Sequence, residues 1–448
     1  MPSRTPLAAV ILAAGKGTRM NSALPKVLHP VAGREMIAHV LAAVSPLDCD
    51  DVVVVAAADD NAVPNAVAPV RVAVQSRARG TGDATRTALE ALGGFEGTVL
   101  VAFGDTPLVT SETLARLVAA RTRDNPPGVV LAGFEAPDPA RYGSLVQSSD
   151  GSVERIVEFG ERDDIDRPVR LYNGGLMALD GSRLAYWLSR LRPDNAKGEL
   201  YLTDVVALAR EDGVRVTVEE VDRDEIMGVD TRPALARAEA LAQQRLRTAA
   251  MEAGASLLAP QTVFLSWDTV VGPDTVIHPY VTIGPGTTIC EGAEIRSFCH
   301  LEGARIGPGA RIGPHAHLRP GADIGPEARV GNFVEIKAAR LDSGAKASHL
   351  AYIGDASVGE EANIGAGTIT CNYDGFDKHR TEIGAGAFIG SNSALVAPVR
   401  VGAGAIIGAG STVTNTVEKD AVVVVRGETR VSPGAARRFR ARRAARNS

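Results

Sequence analysis

The 448-residue chain predicts an α/β domain with a mostly parallel sheet, followed by a parallel β-helix of six-residue repeats. Three observations carry this. Apolar runs alternate with helical patterns through residues 1 to about 228. A stretch rich in Ala, Leu and Arg, all good helix formers, occupies 231 to about 250. From about 262, aliphatic residues recur every six positions, many followed by glycine. The expected divisions are 1–230, a linker helix at 231–251, and 252–448.

In the first part the apolar runs fall at 7–13, 52–57, 98–103, 129–134 and 171–179, with helical patterns such as "SETLARLVAARTRD" between several of them. Open sheets of this kind bind ligands beyond the carboxyl ends of their strands. The first run, "VILAAGKGTRM", stops at Gly15-Lys16-Gly17. A strand entering a glycine turn presents backbone N–H groups to an anion, and Lys16, Arg19 and Lys26 would neutralise phosphate charge. The spacing is neither GxGxxG nor GxxxxGK, so spacing alone leaves a plain strand-to-helix turn equally open. "VLVAFGDTPL" puts Asp105 just past a buried strand. A lone Asp there is usually a turn former. In register with a phosphate loop it becomes a candidate for magnesium, which takes one or two carboxylates together with substrate phosphates.

In the last part the phase decides. Ile306, Ile312, Leu318, Ile324, Val330 and Ile336 are six apart, as are Ile383, Ile389, Leu395, Val401, Ile407 and Val413. Each short strand buries its aliphatic side chain only by stacking on the next coil; a disordered Gly-rich stretch would not keep phase. Two breaks stand out, "KAARLDSGAKASHLAY" and "CNYDGFDKHRT". His349 falls in the first, twelve residues after Lys337. A coil of three repeats takes about eighteen residues, so adjacent coils can bring the two together. The hand of the coil is not stated by the period.

Composition excludes several classes. No apolar run approaches the ~20 residues of a membrane span, and the N-terminus has no secretory pattern, so a cytoplasmic protein without membrane partners is expected. Cys49, Cys290, Cys299 and Cys371 are scattered, with neither disulfide nor zinc spacing. A net charge of −5 argues against nucleic acid as a partner. The six arginines from Arg437 to Arg446 read as a solvated basic tail, with closure of an acyl-donor site as the alternative.

The string "LAAGKGTRMNSALPKVL" resembles the signature of the sugar-1-phosphate nucleotidyltransferases. The resemblance implies a Rossmann-like domain in which Leu12, Ala13, Ala14 and Gly15 wrap UTP and Arg19 and Lys26 contact its phosphates. It further implies that Gln75, Gly80 and Thr81 read the base, that Phe103, Gly104 and Asp105 close the strand end, and that Gly143, Glu158 and Asn173 contact the sugar. Asp105 and Asp230 match its Mg²⁺ ligands. With "LRPGADIG", "VGNFVEIKAARL", "HLAYIGDA" and "NIGAGTITCNYDG", nearly the whole chain resembles the bifunctional transferases that make UDP-N-acetylglucosamine. That implies a left-handed β-helix and a homotrimer. Glucosamine 1-phosphate is acetylated from acetyl-CoA, and N-acetylglucosamine 1-phosphate is then uridylylated. Arg319 and Lys337 would bind the sugar phosphate, and Tyr352 and Asn363 the sugar; His349 would be the general base. Ala366, Asn372, Tyr373, Ser391, Ala409 and Arg426 would line the acetyl-CoA site.

The sequence departs from the family pattern at Phe103 (for Tyr), Gly174 (for Thr), Asp230 (for Asn) and Ser348 (for Gly), and the nearest cation after Glu158 is Arg162. Two alternatives share the same grammar: a single-function nucleotidyltransferase with a structural β-helix, and a trimeric non-catalytic scaffold. His349 and the Asn372-Tyr373 segment speak against the first.

Overall fold

The computed structural model describes residues 5–136, 142–159, 169–195, 198–425, 427 and 431–445. They fall into two compact units, Met1–Arg245 and Leu246–Ser448.

The first unit is built on the strand Leu7–Leu12, buried throughout. Both faces are covered, so it reads as a continuous apolar run and not as an alternation. Asp51–Ala57 and Thr98–Phe103 flank it in parallel, and Arg71–Gln75 extends the sheet beyond Asp51–Ala57. On the other side Leu171–Asp180 pairs antiparallel with both Thr98–Phe103 and Val129–Glu135, and Val216–Glu220 closes that edge in parallel. The reversal has a topological cause. The chain reaches Leu171–Asp180 after a hairpin, Ser144–Gln147 with Val153–Val157, whereas a parallel return needs a long crossover, usually a helix. Helices cover both faces: Leu114 and Leu117 pack with Ile11 and Leu100 on one, Leu184 and Trp187 with Val10 and Val101 on the other. Thr110 caps the helix Ser111–Ala120 by accepting from Thr113 N at 3.2 Å. The Ala-rich stretch forms the 21-residue helix Arg232–Glu252.

The second unit is a coil of three parallel sheets. The first face runs from Ser256–Leu257 to Val422–Val423, the second from Thr282–Ile283 to Thr412–Val413, and the third from Val270–Val271 to Val399–Val401. Both period-six series point inward, each member at most 4% exposed. The coil starts at Ser256, earlier than the 262 read from the period, because its first rung pairs Leu257 with Ile277 across a 3-10 turn at Pro260–Thr262.

One expectation is corrected. "KAARLDSGAKASHLAY" is not a break: Arg340–Leu341, Lys346–His349 and Tyr352–Gly354 continue the three faces in register. The phase slips because Ile336 is followed inward by Leu341, a five-residue step, and the six-residue spacing that resumes is masked because the next inward residue is the small Ala347. "CNYDGFDKHRT" is a true insertion: Val358 pairs with Ile383, twenty-five residues on, against seventeen from Leu341 to Val358.

Candidate functional site

At the carboxyl ends of the central strands, Ala13 N donates to Val55 O and Gly104 N to Leu12 O, so the Ala13–Gly17 turn and the Gly104-Asp105 turn lie side by side. A cavity of about 450 Å³ opens there. Leu12, Ala13, Ala14, Gly15, Lys16, Lys26, Gln75, Gly80, Thr81, Phe103 and Asp105, all singled out from the sequence, line it together with Glu199. Gly17 adopts φ +58°, and a Cβ there would meet Lys26 Cβ at 2.6 Å, so only glycine lets the loop close over Lys26. Gly80, at φ +105°, backs onto Leu200 O, which a Cβ would meet at 2.5 Å. Gln75 is buried; its amide donates to Asp83 Oδ2 at 2.9 Å and to Gly80 O at 3.2 Å, which bonds it directly to the turn that opens the helix Thr81–Ala91.

The charge sits at one edge of this cavity. Lys26 Nζ donates to Asp105 Oδ2 and, at 2.8 Å, to Asp230 Oδ1; Arg19 meets Asp230 Oδ2 at 2.9 Å. Val229 N donates to Asp105 O at 2.9 Å, which brings Asp230 alongside across more than a hundred residues of sequence. Burial opposes the charge on Lys26, but Asp105 and Asp230 outweigh it and raise its pKa. Burial likewise opposes ionisation of Asp230, and Lys26 and Arg19 overcome it and hold the carboxyl below its ordinary value.

The three expected sugar contacts also gather. Asn173 N donates to Gly143 O at 2.8 Å, and a Cβ on Gly143 would lie 3.7 Å from Glu158 Oε2. Glu158 accepts from Thr203 Oγ1 at 3.1 Å and lines another cavity, of about 700 Å³, with Asn195 and Tyr201.

In the second unit the expected residues fall into two columns. At the corner between the first and second faces, Asn332 and His349 are rung partners, and His349 Nδ1 lies 2.5 Å from Asn332 Oδ1. Ala366, Ser391 and Ala409 follow on the next coils, as Asn392 N donating to Ala366 O and Gly410 N donating to Ser391 O place them. Asn363 precedes them on the first face, between Lys346 and Phe388. At the corner between the second and third faces, Arg319 N donates to Ile336 O, which stacks Arg319 on Lys337. The Lys378 ammonium lies beside Lys337 and, with Arg319, lowers its pKa, while Asp355 opposes them. The Asn372 amide donates to Asp355 Oδ2 and, at 3.5 Å, to the Tyr352 hydroxyl. Tyr373 is exposed beside it.

Sequence reasoning missed Lys378 and Asn332. Lys378 sits in an insertion whose path the period cannot give. Asn332 lies seventeen residues before His349, one short coil, and coil arithmetic with that length finds it. His349 and Lys337 occupy neighbouring corners: Gly354, the rung partner of Lys337, is five residues beyond His349, roughly 15 Å of extended chain. Arg162 and Arg426 lie outside the described residues.

Residues 9–170 match the MobA-like NTP transferase domain, and residues 268–303, 303–338 and 380–415 match the bacterial transferase hexapeptide family (six repeats). The chain is 52% identical over 442 residues to "Bifunctional protein GlmU" of Paramagnetospirillum magneticum, covering 99% of this chain and 98% of that protein. It is 55% identical over 437 residues to the GlmU of Rhodospirillum rubrum (98% of each chain) and 56% identical over 437 residues to that of Rhizorhabdus wittichii (97% of each). The chain belongs to the GlmU family. It is a bifunctional enzyme: a Rossmann-like nucleotidyltransferase domain followed by a left-handed β-helix of the hexapeptide transferases.

Within this chain the departures from the family pattern fit one another. Gly174 lies under Ile226, and a Cβ there would meet Ala132 O at 3.1 Å and Ile226 Cβ at 3.3 Å, so the usual threonine would need Ile226 to give by a few tenths of an ångström. The Phe103 ring packs on Gly175, 3.2 Å from where a Cβ would stand. The additional charge of Asp230 is matched by two cations, Arg19 and Lys26.

Proposed function

We propose that the chain performs two consecutive transfers in the cytoplasm. The second unit moves the acetyl group of acetyl-CoA onto glucosamine 1-phosphate. The first joins the product, N-acetylglucosamine 1-phosphate, to the uridylyl group of UTP and releases pyrophosphate. The observation that carries the reading is that each unit has its own cation cluster: Lys26 and Arg19 with Asp105 and Asp230, and Arg319, Lys337 and Lys378 one corner away from His349 on the same coil.

In the acetyl transfer an ammonium has no lone pair, so a base must take its proton. Nδ1–H of His349 donates to Asn332 Oδ1, which fixes the tautomer and leaves the Nε2 lone pair to accept that proton. The 2-amine then attacks the thioester carbon and the CoA thiolate leaves. Arg319, Lys337 and Lys378 hold the phosphate, Tyr352 and Asn363 the sugar, and Ala366, Asn372, Tyr373, Ser391, Ala409 and Arg426 the acetyl-CoA.

In the uridylyl transfer the nucleophile is a phosphate oxygen, already an anion, so positioning and charge neutralisation suffice. Asp105 and Asp230 converge on one cationic atom, Lys26 Nζ, and two hard carboxylate oxygens meeting at one point suit Mg²⁺. When bound there, Mg²⁺ would offset triphosphate charge. Arg19 and Lys26 neutralise the remaining phosphate oxygens, Gln75, Gly80 and Thr81 hold the base, and Gly143, Glu158 and Asn173 orient the sugar.

The functional assembly is a homotrimer. Tyr280, Phe298, His315 and Phe333 form a continuous stack with ring centroids 4.8–5.3 Å apart along the corner of His349, and each is at positive φ. Such a solvent-facing aromatic column is suited to burial against another copy, and a second copy alongside brings cations of one corner toward the His349 of the next. Incubation with glucosamine 1-phosphate, acetyl-CoA, UTP and Mg²⁺ should yield UDP-N-acetylglucosamine and pyrophosphate; formation of neither acetylated sugar nor pyrophosphate would refute the reading.

A further inference from the structure

The insertion between the strands Ile369–Cys371 and Thr381–Ile383 has no core of its own. Tyr373 is 61% exposed and Phe376 91%. Polar bonds hold it instead. His379 N donates to Asn372 O at 2.8 Å, and Tyr373 and Lys378 form an antiparallel bridge, which makes the segment a hairpin. Asp374 ties the turn together. Its Oδ1 accepts from Phe376 N and Asp377 N, both at 2.8 Å, and its Oδ2 lies 2.8 Å from His379 Nε2. The amide of Asp377, the imidazole of His379 and the amide of Phe376 hold the Asp374 carboxyl well below the usual carboxylate range.

Lys378 pairs with Tyr373 across the hairpin and immediately precedes His379. Both ends of the hairpin are fastened to Asp355, by the Asn372 amide and by Thr381 N at 3.1 Å, and Asp355 N itself donates to Lys337 O at 3.1 Å. The hairpin thus carries Lys378 to the Lys337 corner, where Lys378 and Arg319 lower the Lys337 pKa. Glu335 pairs with Arg319 at 2.7 Å and Asp355 offsets the charge of Lys337, but a flexible Lys378 would still swing away from these cations unless the backbone held it. The hairpin is the scaffold that opposes this, and the Asp374–His379 contact fastens its two arms on either side of Lys378.

We propose that Asp374 and His379 are positioning residues for sugar-phosphate binding, acting through Lys378. The inference rests on the reading that Arg319, Lys337 and Lys378 bind glucosamine 1-phosphate. The experiment is steady-state acetyl transfer by the full chain and its variants His379→Ala, His379→Gln, Asp374→Asn, Lys378→Ala, Lys337→Ala and the double variant at 378 and 379. His379→Ala should raise KM for glucosamine 1-phosphate about tenfold, the scale of one displaced charge-assisted bond, with kcat within about twofold. His379→Gln, whose amide still donates to Asp374, should recover most of the loss. Asp374→Asn, which keeps the shape of the turn, should raise KM in the same direction. On the Lys378→Ala background, His379→Ala should add nothing, since residues acting through one group are not additive. Uridylyl transfer by the same preparations should be unchanged. An equal KM effect with and without Lys378, or an unchanged KM in His379→Ala, would overturn the proposal. Unchanged KM in both Lys378→Ala and Lys337→Ala would instead refute the phosphate site beneath it.

Discussion

Lys26 carries the first site at the scale of single residues. Its side chain is 12% exposed and its only acceptors in the cluster are two carboxylates that would otherwise repel each other. Lys26→Met should abolish uridylyl transfer and lower stability by about 1–3 kcal/mol, a range discounted for solvent screening at the half-exposed Asp230. Added Mg²⁺ should restore part of the melting temperature, and acetyl transfer should persist. The pH dependence follows from signs. Asp230 titrates below its ordinary 3.8, so its contribution is present above 3.8 and is lost as pH falls through the lower folded value. Lys26 titrates above 10.5, so its contribution is present below 10.5 and is lost as pH rises through the higher folded value. Melting in metal-free buffer should therefore fall below about pH 4, and Asp230→Asn should flatten that fall. In the second site, His349→Ala should cut acetyl transfer by about 10²–10⁴-fold, the usual share of a general base, with uridylyl transfer intact. Asn332→Ala should lower kcat more than it raises KM, because it frees the ring without removing it. His349 was legible as a residue type beside a family string, whereas Asn332 required the coil's true seventeen-residue step.

The coil shows at the scale of elements how far periodicity reaches. Each inward aliphatic contacts only the coils above and below, so stability is a sum over neighbours. Ile336, fully buried, should cost about 2–5 kcal/mol when replaced by alanine. Calorimetry should place that loss in the transition of the second unit and leave that of the first unmoved. The period identified this architecture directly, because only a stacked coil repeats its inward position every six residues. It misread 337–352, because one omitted residue shifts phase without interrupting the rungs: Ile336 still pairs with Ile353. In the sheet of the first unit, apolar runs revealed the strands Leu7–Leu12 and Leu171–Asp180 alike, but not that the second runs backward. Direction depends on the connection, and hairpin and crossover residues look similar in hydropathy.

Assembly is tested at the scale of the whole molecule by the aromatic column beside His349. Sedimentation should give three chains per particle. Phe333→Asp should dissociate it and abolish acetyl transfer while sparing uridylyl transfer; a monomer that still acetylates would refute the shared site. Among the described residues, no helix is long and apolar enough to cross a membrane. By itself the sequence determined the two fold classes and nominated candidate residues for both sites, because strand burial, six-residue periodicity and short motifs are local properties of a chain. Only the tertiary structure decided that Asp230 reaches Lys26, that Asn332 orients His349 and that Lys378 joins Lys337. These contacts depend on register and on the path of a loop, which bring distant residues within bonding distance and leave no local pattern behind.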